Sequence, residues 1–188
     1  MKKIFTLLAL CSLSAFGSSE MEHSQKHEEE NKFYVSAKAI VTLGDSIQEE
    51  EVTLDGKRGL GIGVDLGYKL DYGFSVEVDG TFVSSNVEEI QENGDSEEFK
   101  ATYITTSLDI AYKYSVTHDL GVVLKTGYEL EIEKINDLDI DNSETGFVFA
   151  GAVEYELSEE TAILAEYEHS TIDGPRGDSV FIGMLYSF

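Results

Sequence analysis

The stretch YEHSTIDGPRGDS, residues 167–179, holds the residues best suited to chemistry. Hydrolysis through an activated hydroxyl needs an imidazole within hydrogen-bond reach of a Ser or Thr. His169 and Ser170 supply both groups, but they are adjacent, and neighbours on a strand project to opposite faces. His169 and Thr171 share a face, yet no further motif makes them a catalytic couple. The chain is therefore read as having no enzyme chemistry. Within the same stretch, Arg176-Gly177-Asp178 matches a short motif by which adhesive proteins engage receptors. Gly174, Pro175 and Gly177 also make an ordinary turn, which is the simpler reading.

Metal chemistry has two candidate sources. His23 and His27 stand four apart, as a helix would present a pair of ligands, but they lie in a polar stretch without a third ligand. Glu49, Glu50, Glu51, Asp95, Glu97 and Glu98 are carboxylates of the kind that bind Mg or Ca, and could bridge to lipid phosphates. As solvated loop residues they need no metal at all, and no cofactor is expected. Cys11 is the only cysteine.

Thirteen basic against 37 acidic residues give a net charge of -24. The basic residues are scattered, so nucleic acid is excluded as a partner. Lys2 and Lys3 precede IFTLLAL, and SLSAFGSS follows, the three-part layout of a secretory signal cleaved after Gly17. Residues 1–17 are thus read as the signal and 18–32 as a disordered polar leader. Cys11 falls within the signal and lacks the small preceding residue of a lipidation site. Removal of the signal takes two lysines and no acid, so the charge goes from -24 to -26.

From Phe33 the pattern alternates with a period of two, in eight segments about as long as a tilted membrane-crossing strand. In LGIGVDLGYKL, for example, Leu60, Ile62, Val64, Leu66, Tyr68 and Leu70 oppose Gly61, Gly63, Asp65, Gly67 and Lys69. The connections DYG, THD and SEE are short. Those between are longer and mostly acidic, such as NVEEIQENGDSEE and NDLDIDNSE. Short turns on one rim and long loops on the other describe an all-β, eight-stranded antiparallel up-and-down transmembrane β-barrel over residues 33–188.

Alternation alone leaves the direction of the faces open, because a soluble lipocalin-like ligand-binding barrel has the same period. Two features favour lipid outside. The polar face carries glycines and mid-strand charges of both signs, Lys38, Asp65, Lys69, Asp109, Lys113 and Lys125, which a narrow interior holds if they pair. The apolar face carries Tyr and Phe near its strand ends, as interfacial girdles do.

This layout resembles the small eight-stranded outer-membrane barrels of the OmpA transmembrane-domain and OmpX type. The final strand, with Val180, Ile182, Met184, Tyr186 and Phe188 at alternate positions, resembles the signal read by the barrel-assembly machinery. The resemblance implies a monomer in the bacterial outer membrane, in contact with outer-membrane lipid and lipopolysaccharide, in a structural or surface-interaction role. Some lipid A-modifying barrels use a His and a Ser two apart on a late strand. The adjacent His169 and Ser170 depart from that pattern.

Overall fold

A computed structural model describes residues 32–49, 52–91, 93–135 and 140–188. The signal with Cys11, the leader through residue 31 with His23 and His27, and Glu50 and Glu51 lie outside the described residues. Ten strands follow in order: β1 (Phe33–Thr42), β2 (Ser46–Glu49), β3 (Val52–Gly56), β4 (Gly59–Lys69), β5 (Phe74–Gln91), β6 (Ser96–Ser115), β7 (Leu120–Ile135), β8 (Ile140–Glu156), β9 (Thr161–Ser170) and β10 (Ser179–Ser187).

Eight of them close a barrel. Antiparallel ladders run β1–β4, β4–β5, β5–β6, β6–β7, β7–β8, β8–β9 and β9–β10, and β10 returns to β1. Closure satisfies the backbone without leaving an open edge, as a hydrocarbon environment requires. Among the described residues no helix is long and apolar enough to cross a membrane.

The period of two now has a direction. Phe181 is 1% exposed and its neighbour Ile182 is 69% exposed. The same contrast holds round the barrel: Leu60, Ile62, Val64 and Leu66 of β4, Leu108 and Ile110 of β6 and Leu124 of β7 all lie on the outer surface. A soluble ligand-binding barrel would hold these side chains inside, so the geometry is that of a barrel in lipid.

Aromatic rings mark both ends of this apolar belt. On the short-turn rim Phe33 lies 4.8 Å from Tyr68, Phe74 lies 4.9 Å from Tyr112, and Phe188 lies 6.3 Å from Phe33, centroid to centroid. On the other side Tyr128 packs edge-on against Phe147 at 5.4 Å. Phe82 stands eight positions after Phe74 on β5. At about 3.3 Å per residue and a usual tilt of about 40° this spans roughly 20 Å, and the rings extend it towards the ~25 Å apolar band of such barrels.

The rims differ. On the first, the turn after β4 contains two consecutive left-handed residues, Tyr72 (φ 63) and Gly73 (φ 82), and Leu70 N–H closes it on the Phe74 carbonyl at 2.7 Å. On the second, much of what reads as loop in the sequence is strand. β5 and β6 pair as far as Ile90↔Ser96, and β7 and β8 as far as Ile135↔Ile140, so both hairpins rise beyond the apolar belt. The β2–β3 hairpin pairs with the top of β5, from Gly56↔Val87 to Val52↔Gln91. Its Leu54 joins Ile40, Val83, Val87, Ala101, Tyr103, Ile135 and Phe181 in an apolar cluster, with Ile47 and Phe99 packed against it. The long rim is therefore built on a small core of its own.

Candidate functional site: the ion-paired lumen and its mouth

Inward-facing positions carry the polar half of the alternation. Asp65, Glu77, Asp79, Asp109, Glu129, Glu131, Glu154 and Glu166 are buried there, and each must find a donor or a cation. Four cations sit among them, three in the lumen and Lys113 at its short-turn rim.

Lys38 of β1 is central. Its ammonium lies 2.8 Å from Asp65 Oδ1, 2.6 Å from Asp79 Oδ2 and 3.4 Å from Glu166 Oε1, and its side chain is 0% exposed. It also stands 4.4 Å from the centre of the Phe181 ring. Lys125 of β7 reaches Glu77 Oε2 at 2.6 Å and Glu166 Oε2 at 2.8 Å. Glu166 thus bridges the two lysines. Ser36 donates to Asp65 Oδ2 at 2.6 Å, and the Tyr34 hydroxyl donates to Glu77 Oε1. Gly67 lies opposite Tyr34 on the neighbouring strand, where a Cβ would collide with the ring.

The other charges expected inside are placed as follows. Asp109 is buried, lies across the β5–β6 ladder from Glu77 and accepts from Ser107 at 2.5 Å. Lys113 is half-buried near the short-turn rim, 2.6 Å from Glu154 and 2.5 Å from Glu156. Lys69 is exposed at the same rim and donates to Ser187 at 2.9 Å. Only Lys38, Asp65 and Lys125 join in one network, with Asp109 beside it.

The third cation comes from the loop that carries the adhesive-type motif. Arg176 is 4% exposed. Its Nη2 donates to Glu129 Oε1 at 2.8 Å, its Nε lies 2.5 Å from Glu131 Oε2, and Nη1 is 4.0 Å from Glu168. Ser170 donates to the same Glu129 oxygen at 2.8 Å. Asp178 is engaged too, by Tyr167 and by His169 Nδ1 at 2.7 Å. The tripeptide is thus folded into the barrel mouth, not displayed, and a receptor reading of it is overturned. Sequence reasoning missed Arg176 as an interior group. The available signal was the imbalance of the polar face, which needs a cation from outside the strands.

Backbone packing holds that loop down. Leu43 N–H donates to the Asp178 carbonyl at 2.8 Å, Gly44 N–H to Arg176 at 3.1 Å and Asp45 N–H to Pro175 at 3.2 Å. A Cβ on Gly56 would strike the Pro175 carbonyl, and one on Gly44 would strike Gly56. These glycines allow three backbone segments to stack where a larger residue would lift the loop.

His169 and Ser170 remain apart in role: His169 is exposed and pairs with Asp178, whereas Ser170 turns inward to Glu129. The described geometry brings no hydroxyl nucleophile to His169.

Solved structures share this fold. The chain is similar to Neisserial surface protein A (NspA), at 14% identity and a TM-score of 0.63, covering 83% of this chain and 97% of that one. It is similar to the outer membrane protein OprG of Pseudomonas aeruginosa, at 12% identity and a TM-score of 0.67, covering 85% and 97%. It is also similar to Ail, the attachment invasion locus protein of Yersinia pestis, at 15% identity and a TM-score of 0.54, covering 85% and 99%. Ail has been solved with the heparin analogue sucrose octasulfate. No curated protein matches the sequence. The model of the outer membrane protein beta-barrel domain matches residues 5–188, and with the closed barrel and its outward apolar belt this makes the chain a member of that family, located in the bacterial outer membrane.

Proposed function

We propose that the protein is a structural outer-membrane barrel with a closed lumen, which catalyses no reaction and acts through the surface of its long rim. The observation that carries this reading is the set of three cations in the lumen, Lys125, Lys38 and Arg176, each held by two or more carboxylates. A narrow barrel whose interior groups pair with one another leaves little room for water or solute. Short turns face the periplasm in such barrels, so the long rim with its acidic hairpins faces outward. A polyanion of the kind bound by Ail is a poor fit for a chain of net charge -24.

The reading includes export by the signal at residues 1–17, a leader at 18–32 and a monomeric barrel. It also includes insertion by the barrel-assembly machinery through Val180, Ile182, Met184, Tyr186 and Phe188. Outer-membrane lipid, including lipopolysaccharide, is the expected surrounding partner. Two measurements test the proposal. Planar bilayers containing the folded protein should show no sustained conductance, and lipid A from cells with and without the protein should have the same acyl chains by mass spectrometry. Stable openings refute the closed lumen, and altered acyl chains refute the absence of catalysis.

A further inference from the structure

Four times in the chain an Asp or Asn is followed by Gly: Asp55-Gly56, Asp79-Gly80, Asn93-Gly94 and Asp173-Gly174. Glycine has no Cβ to shield its own amide nitrogen. At each pair that nitrogen can attack the carboxyl or amide carbon of the side chain before it, provided that both groups are free to meet. The structure treats the four pairs differently.

Three are held at both residues. Asp55 accepts from Ser46 and pairs with Lys57 at 2.6 Å, and Gly56 N–H donates to the Asp45 carbonyl at 2.8 Å. Asp79 is buried against Lys38, and Gly80 lies in two ladders, opposite Val64 and opposite Thr106. Asn93 is tied to Asp95 through both side-chain atoms, each at 2.9 Å, and Gly94 N–H donates to the Gln91 carbonyl at 2.9 Å. Attack at these pairs requires a local opening first.

Asp173-Gly174 differs. Asp173 is exposed in the loop between β9 and β10. Among the described residues its carboxylate makes no hydrogen bond or ion pair, and Gly174 N–H has no acceptor. Both residues line an open cleft with Glu131 and Glu144. A Cβ built on Gly174 would have only Glu131 Oε1 near it, at 3.8 Å, so there is room for a ring. The backbone bonds that pin the loop lie on either side of the pair, from Thr171 N–H to Phe147 at 2.9 Å and from Asp45 N–H to Pro175 at 3.2 Å.

We infer that Asp173 is a site of spontaneous backbone modification, at which a cyclic imide forms with Gly174 and opens to isoaspartate. The lone pair of the Gly174 nitrogen forms a bond to Asp173 Cγ, and one carboxyl oxygen leaves as water with the carboxyl proton and the amide proton. Water then adds to the imide. Cleavage at Cγ restores Asp173, whereas cleavage at the main-chain carbonyl leaves the chain running through Cβ. No oxidant, cofactor or second protein takes part. This is self-modification, not turnover, and it goes beyond the structural-barrel reading without depending on it. The product adds a methylene to the backbone ahead of Arg176. Leu43, Gly44 and Asp45 hold residues 175–178 by their backbone bonds, so the extra length is taken up before Pro175.

The test compares the mature barrel refolded in detergent with the same chain unfolded in guanidinium, at one temperature and neutral pH. Peptide mapping with electron-transfer fragmentation separates the two linkages and follows isoaspartate at each pair. Folded and unfolded rates at Asp173 should agree within about threefold, whereas folding should suppress isoaspartate at Asp55, Asp79 and Asn93 by at least about tenfold. Gly174→Ala, whose Cβ finds space in the fold but shields the nitrogen, should slow the change at Asp173 in the folded barrel. Suppression at Asp173 as strong as at the other pairs, or a folded-state rate unchanged by Gly174→Ala, would overturn the proposal.

Discussion

Arg176 Nε stands 2.5 Å from Glu131 Oε2, while Nη2 of the same guanidinium donates to Glu129 Oε1 at 2.8 Å. Two carboxylates on one face of β7 are thus closed by a single side chain from the β9–β10 loop. The loop cannot rise from the mouth without leaving both acids uncompensated in a buried place.

Removing the cation alone should therefore be costly. Arg176→Met is expected to lower the unfolding free energy in detergent by about 3–5 kcal/mol. Adding Glu129→Gln and Glu131→Gln to it should recover part of the loss, because the stranded charges disappear with them. A loss below about 0.5 kcal/mol, the level of an ordinary surface change, would mean that the guanidinium does not hold the mouth.

Lys38 makes the parallel case at mid-lumen. Lys38→Met should cost about 3–5 kcal/mol, since Asp65 and Asp79 lose a cation at 2.8 and 2.6 Å. A cycle with Asp79→Asn should give a coupling of about 1–3 kcal/mol, read from urea midpoints at constant m-value. Additive single effects would show that the two groups do not act as a pair.

The parts legible in the sequence were those whose pattern is set by lipid. Leu60 to Leu70 alternates because one face must be apolar and the other must pack or pair inside, and that contrast is visible one residue at a time. Above the belt the outer face meets water, so Glu88 and Glu98 stand where an apolar residue would otherwise mark a strand, and the hairpin reads as loop. Ile47 and Leu54 are too sparse to announce the β2–β3 hairpin, which is held by packing on Val83 and Val87. Arg176 was hidden for another reason: its partners Glu129 and Glu131 are close only through the closure of the barrel.

The clasp at Asp178 makes the loop sensitive to acid. Partial burial pushes its carboxyl up, but hydrogen bonds from Tyr167 and His169 outweigh this and hold it below the usual range. A depressed carboxylate stabilises the fold above its unfolded value, near pH 4, and loses that contribution as pH falls through the lower folded value. The side-chain carboxyl carbon of Asp178 in detergent NMR should have its titration midpoint below about pH 4. A carboxyl midpoint above that value would contradict the assignment.

Phe188 offers a way to separate folding from assembly. Its N–H closes on the Phe33 carbonyl at 2.8 Å, and its ring lies 6.4 Å from Tyr186. Phe188→Ala keeps the backbone bond, so refolding in detergent micelles should proceed with a loss of about 1–2 kcal/mol at most. Outer-membrane levels in cells should fall severalfold if the ring is read by the assembly machinery. Normal cellular levels would assign Phe188 to the seam alone.

The orientation of the apolar face is tested most directly by spin-label accessibility along β10, where Cys11 is the sole native cysteine and lies in the expected signal. Single cysteines at each position from 180 to 186, labelled in the refolded barrel in lipid vesicles, report collision with oxygen. Accessibility should alternate with a period of two, with maxima at 180, 182, 184 and 186 and minima at 181, 183 and 185. Maxima at the odd positions, or no alternation, would contradict a barrel that faces lipid with Ile182 and fills its interior with Phe181.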